Sequence, residues 1–96
     1  MIINERTHLL IEEILGSKAR IKILKELAIN SELTISQIIK QTRLNHSNAL
    51  RHLEFLKYLD LVQEKKFGRI KIFRYKIENL KARSLKNFIE IWERNY

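Results

Sequence analysis

Apolar residues recur along most of the chain at the spacing of one helix face. Leu10, Ile11, Ile14 and Leu15 share one side of a segment from about Thr7 to Leu15. That spacing predicts a first helix, because a period of about 3.6 residues brings positions i, i+3 and i+4 together. Ile21, Leu24, Leu27 and Ala28 repeat the pattern and predict a second helix from about Lys18 to Ala28, with Lys18, Arg20, Lys22 and Lys25 left to solvent. Gly16 ends the first helix and Ser17 stands where a cap for the second is needed, since a serine hydroxyl satisfies a free amide of the first turn. Asn30-Ser31-Glu32 reads as a turn and Leu33-Thr34-Ile35 as a very short strand. Ser36 is the expected cap of a short helix that points Ile38 and Ile39 inward. After a turn at Thr42-Arg43-Leu44, Asn45 caps a fourth helix to about Tyr58, with Ala49, Leu53 and Leu56 on its inner face.

The period then changes. Leu61 to Phe67 and Ile70 to Ile77 read as two strands joined by a turn at Phe67-Gly68-Arg69, the second rich in β-branched and aromatic residues. Phe73, Tyr75 and Ile77 are expected to face inward. Ile70 and Ile72 fall on the other face, and a twist or bulge is the device that would re-aim them. Asn79 caps a last helix toward Tyr96, where Leu85, Phe88, Ile89, Trp92 and Tyr96 form a broad apolar stripe. The expected order is helix, helix, short strand, helix, helix, strand, strand, helix. The fold class is mainly α with a small β-hairpin.

With 96 residues the chain suits one domain, and a hydrophobic share of 45% is enough to fold it. A core this small gains from oligomerisation. Charge narrows the partners. Lys and Arg number 19 against 11 Asp and Glu, a formal net charge of +8. Such an excess points to a polyanion, nucleic acid first and an anionic membrane surface second. There is no cysteine, which removes disulfides, thiolate metal sites and cysteine nucleophiles. The first residues, Met1 to Arg6, become charged at once, so neither a signal peptide nor a membrane span is expected, and the expected location is cytoplasmic, on the nucleoid. No phosphate-binding glycine loop, nucleophile elbow or zinc-protease motif is present, and Glu12 and Glu13 read as solvated surface. An enzyme is not expected, nor a cofactor.

The segment from Thr34 to Leu59 holds the functional signal. A short helix, a tight turn and a second helix make a helix-turn-helix, and the basic hairpin after it makes a wing. Here the sequence resembles the ArsR-type winged-helix regulators. The resemblance rests on Leu15-Gly16-Ser17-Lys18-Ala19-Arg20-Ile21-Lys22-Ile23-Leu24, on Leu44-Asn45-His46-Ser47-Asn48-Ala49-Leu50-Arg51-His52-Leu53, on Leu59-Asp60-Leu61-Val62, and on Gly68-Arg69 through Arg74-Tyr75. It covers nearly the whole chain and implies a homodimer with a recognition helix in the major groove of double-stranded DNA; the expected function is that of a transcription regulator, a repressor rather than an activator being the working expectation. The expected helix-turn-helix covers about 36–58, the wing about 61–77 and the dimerisation helices about 5–15 and 79–95.

The helical wheel independently sets Ser47, Arg51 and Glu54 opposite the inner face, with His46 and Asn48 at the exposed start of the helix. Arg51 has the fork to pair with guanine, Asn48 the amide to pair with adenine, and Ser47 a hydroxyl for base or phosphate. Leu50 sits at the boundary, and His52 is expected at the core edge with a satisfied imidazole. The hairpin offers Lys65, Lys66, Arg69, Lys71, Arg74 and Lys76 to phosphates or the minor groove, Arg69 foremost. Lys18, Gln37, Lys40 and Arg43 are expected phosphate contacts beside the recognition helix. Leu10, Ile11, Ile14, Leu85, Phe88, Ile89 and Trp92, with Ile3, are the expected dimer interface. The chain departs from the many relatives that sense metals: its last helix holds no histidine, and His8, His46 and His52 are scattered. No metal site is expected. Two other readings stay open, a winged helix that binds protein and one that binds RNA; the latter calls for exposed aromatics, whereas Phe73 and Tyr75 are expected inside.

Overall fold

The computed structural model describes residues 11–94. The elements follow the order α1 (Glu12–Leu15), α2 (Lys18–Asn30), β1 (Glu32–Thr34), α3 (Ile35–Thr42), α4 (His46–Tyr58), β2 (Val62–Phe67), β3 (Ile70–Tyr75) and α5 (Leu80–Glu93). The expected class, mainly α with a small β-hairpin in a winged helix-turn-helix, is the class observed. Ile3, His8 and Leu10, the first part of the expected first helix, and Tyr96 lie outside the described residues.

Caps set most helix starts. Ser17 accepts from the Arg20 amide, Asn45 from the Asn48 amide and Asn79 from the Ala82 amide, each the third residue of its helix. The cap of α3 differs from the expected Ser36. Thr34 accepts from the Gln37 amide at 3.1 Å, and the Gln37 side chain accepts from the Thr34 amide at 2.9 Å, a reciprocal capping box. The sheet explains the shift: Thr34 is already extended by pairing with Ile72, so Ile35 opens the helix rather than closing the strand. Gly16 ends α1 as expected. Its φ is −80°, and a Cβ there would collide with the Glu12 carbonyl, so close backbone approach, not left-handed geometry, calls for glycine.

The sheet has three antiparallel strands in the order β1-β3-β2. The register runs unbroken from Val62 opposite Tyr75 to Phe67 opposite Ile70. There is no bulge, and Ile70 and Ile72 are not re-aimed; they stay on the face away from Phe73 and Tyr75. Ile77 lies beyond the strand and is exposed, because β3 ends at Tyr75 and the chain turns toward α5.

The core is built on α2. Ile23, Leu24 and Leu27 are wholly buried with Ile38, Leu53, Leu56 and Phe73. Ile23 was not among the expected inner-face residues, while Ile39 and Ile21 are only half-buried. Tyr75 joins the sheet to α5 by donating its hydroxyl to the Ala82 carbonyl. No helix of the described residues is long and apolar enough to cross a membrane.

Burial pushes the Tyr75 hydroxyl above its ordinary value near 10. The folded protein therefore keeps this proton where the unfolded chain releases it, so the contribution is full below pH about 10 and fades as pH rises. Tyr75→Phe is expected to lower stability by about 1 kcal/mol in urea titrations at neutral pH, since the buried hydrogen bond from the sheet to α5 is lost. It is also expected to flatten the decline of the urea midpoint above pH 10; an unchanged decline would place its cause elsewhere.

Candidate nucleic-acid interface

The turn between α3 and α4 is held from inside. Thr42, the buried polar residue, donates its hydroxyl to the Ile38 carbonyl at 2.7 Å and accepts from the Leu44 amide at 3.4 Å. Arg43 follows in the left-handed region with φ 62°, which reverses the chain within a few residues and throws the Arg43 side chain outward. Ala49, Leu53 and Leu56 hold the inner face of α4 against the core. The opposite face is left to solvent, and His46, Ser47 and Arg51 lie exposed on it.

Hydrogen bonds order this face. Asn45 accepts from the Asn48 amide at 2.8 Å and from the Ser47 hydroxyl at 3.2 Å. Asn48 in turn accepts from an Arg51 guanidinium nitrogen at 3.1 Å. Asn45 thus holds the Ser47 side chain and the Asn48 backbone, and the Asn48 and Arg51 side chains hold each other, so the three residues expected to meet DNA form one surface array. A guanidinium has five donors and an amide oxygen two lone pairs, so the array keeps free capacity on its outer side.

Behind α4 lies a contact that the sequence pattern does not expose. Arg20 was expected in solvent, yet it is half-buried. Its Nε donates to His52 Nδ1 at 3.4 Å, another nitrogen donates to the Glu13 carbonyl at 2.9 Å, and its guanidinium lies 3.8 Å from the centre of the Phe55 ring. Arg20 thereby links α2, Glu13 of α1 and the back of α4. The paired spacing of His52 and Phe55 on α4 is the signal that marked a receptor for it. His52 is half-buried with its imidazole engaged, as expected. Burial, then the Arg51 and Arg20 charges, lower its pKa.

The wing is less cationic than its composition. Lys65 pairs with Glu32 at 2.8 Å, Lys71 with Glu64 at 4.0 Å, Arg74 with Glu78 at 2.7 Å and Lys76 with Asp60 at 3.0 Å. Lys57 also bridges Glu54 and Glu64, at 3.0 and 2.9 Å, tying the end of α4 to β2. Lys66 and Arg69 are exposed and make no ion pair among the described residues. The same holds for Lys40 and Arg43 beside the turn. Gln37 is exposed, but its side-chain oxygen serves the capping box. No group of three or more His, Asp or Glu side chains that could hold a metal ion occurs among the described residues.

Four titrating groups respond to acid in the same direction. Arg74, by hydrogen bonding, pulls Glu78 down to about 2, while lysine partners lower Asp60 and Glu64 and burial lowers His52. Each has a folded pKa below its unfolded one, so each contribution is present above the unfolded value and lost as pH falls through the folded value. The urea midpoint is expected to begin falling below about pH 6.5, from His52, and to fall further below about pH 4.5 from the carboxylates. Glu78→Gln is expected to shallow the lower part of the curve; an identical curve would remove the Arg74 pair from the account.

The family model for bacterial regulatory proteins of the arsR family matches residues 17–64 of the 96. No curated protein matches the chain by sequence. Among solved structures, HlyU from Vibrio cholerae superposes with a TM-score of 0.78 at 17% identity, covering 97% of this chain and 98% of that one. The transcriptional repressor BigR from Xylella fastidiosa gives 0.72 at 15% identity over 88% and 83%. The transcriptional repressor PagR of Bacillus anthracis gives 0.67 at 21% identity over 84% and 86%. These likenesses are likenesses of fold.

Proposed function

Because the chain belongs to the arsR family of bacterial regulatory proteins, a family of DNA-binding regulators rather than enzymes, we propose that it is a sequence-specific transcription repressor acting as a homodimer. The observation that carries specific reading is the Ser47-Asn48-Arg51 array on the exposed face of α4. A helix start presenting a guanidinium fork and an amide fits base edges in the major groove. His46 stands beside the array. Lys40 and Arg43 flank it, and Lys66 and Arg69 extend the basic surface to the wing, positions suited to phosphates. Lys71, close to Glu64, and Gln37, engaged in its cap, are the weaker members of the set. The helix-turn-helix then spans about 36–58 and the wing about 61–77, and the working location is the nucleoid in the cytoplasm. Repression is favoured by the likeness in fold to BigR and PagR, both transcriptional repressors.

The homodimer rests on the apolar surface of α1 and α5. Ile11, Phe88 and Trp92 are exposed at 60%, 45% and 73%, and Leu85 lines a groove of about 520 Å³ with Ile11, Leu15 and Phe88. Ile14 and Ile89, expected in that interface, are instead buried in the chain itself at 2% and 6% exposure. They set the two helices on the core, so the dimer surface reduces to the outward residues. Exposed apolar area of this kind marks an isologous contact.

Light scattering at micromolar concentration is expected to give about twice the chain mass of 11.6 kDa, and Trp92→Glu to shift the protein toward monomer because a charge would enter an apolar contact. A wild-type monomer would defeat the homodimer. For reading, site selection is expected to return an inverted repeat with half-sites about one helical turn apart. Arg51→Ala is expected to lose about 1–3 kcal/mol per contact on the selected site and little on scrambled duplex. Arg69→Ala is expected to weaken both duplexes and lower the log–log salt slope by about one per phosphate lost. Equal losses on both duplexes for Arg51→Ala would take base reading away from this helix.

A further inference from the structure

The hairpin tip carries apolar surface that the fold does not use. Alternate residues of the unbroken β2–β3 ladder face opposite sides. Val62, Phe73 and Tyr75 are buried on one side. The other side carries Phe67 and Ile70, directly paired across the ladder and 76% and 51% exposed. Neither belongs to the core or packs against it. The turn between them has positive φ only at Gly68, 63°, the pattern of a tight hairpin turn with glycine at its first central position. The tip is thus narrow, and it ends in an aromatic ring beside a branched aliphatic side chain.

The pairing of Phe67 with Ile70 steadies the hairpin, but it does not account for the cations around it. The carboxylates of the wing are taken by Lys57, Lys65, Lys71, Arg74 and Lys76. Lys66 and Arg69, the cations adjoining Phe67 and Gly68, make no ion pair among the described residues. An apolar point flanked by two open positive charges complements one polyanion in particular: duplex DNA, whose phosphates border each groove and whose apolar base faces, stacked out of reach in the closed duplex, become accessible where a base step opens.

We propose that Phe67 and Ile70 form a wedge that the wing inserts into a base step from the minor groove, with Lys66 and Arg69 holding the phosphates on either side. The proposal rests on the DNA-binding reading above and adds deformation to it. An apolar side chain entering a base step unstacks it and bends the duplex toward the major groove. Pyrimidine–purine steps open most readily, so the wing adds a sequence preference at positions that α4 does not touch.

The experiment uses a selected duplex with an aminopurine reporter base at the flanking step and a fluorophore at each end, with anisotropy recording affinity separately. Wild type is expected to bind, to brighten the reporter as the step unstacks, and to bring the ends closer. Phe67→Ser, at an exposed position, is expected to keep the fold by circular dichroism, bind about tenfold more weakly and lose both signals, while Phe67→Leu retains most of each. Wild type that binds without brightening or bending, or Phe67→Ser that bends as wild type does, overturns the wedge and leaves the DNA-binding reading standing. Wild type that binds no duplex overturns both. Binding to anionic vesicles that depends on Phe67, with DNA bending indifferent to it, overturns the wedge in favour of a membrane contact.

Discussion

The buried face of α2 is the constraint on which the molecule turns. Ile23, Leu24 and Leu27 have no exposure, and α2 packs against α1, α3, α4, α5 and the sheet. Removing an apolar side chain from water contributes roughly 1.5–3 kcal/mol, so a single helix that buries three such residues against every neighbour sets the angles of the rest. The recognition surface is a consequence. Helix α4 is seated by Leu53 and Leu56 on this face, and what remains outside is the side bearing Ser47, Asn48 and Arg51.

Charge is distributed by the same geometry. A net charge of +8 suggests a uniformly basic protein, but folding brings Lys65, Lys71, Arg74 and Lys76 against Glu32, Glu64, Glu78 and Asp60. These exposed pairs stabilise the fold little. Their larger effect is to neutralise the base of the wing and leave open positive charge at its tip and beside the α3–α4 turn.

Arg20 shows how one residue joins parts that the chain keeps apart. It touches the Glu13 carbonyl, His52 and Phe55 at once. Helix α1, next to the apolar surface proposed for dimerisation, is thereby connected through Arg20 to the back of the helix proposed to read DNA. A guanidinium suits this position because its planar face stacks on an aromatic ring while its edges donate hydrogen bonds.

The sequence by itself determined the elements and much of the architecture, because helix periodicity and capping are local. Ser17, Asn45 and Asn79 cap helices within three residues of themselves, and Ala49, Leu53 and Leu56 share a face at any tertiary arrangement. The exposed side of α4 was legible for the same reason. Tertiary structure alone decided what depends on residues distant in the chain. It chose Thr34 over Ser36 as a cap, since sheet pairing with Ile72 extends Thr34. It buried Ile14 and Ile89 while leaving Phe88 and Trp92 outside, although a helix stripe lists all four alike. It drew Arg20 inward and kept Ile70 outward. In each case a local pattern offers a side chain two environments of similar merit, and the packing of a partner from elsewhere in the sequence selects one.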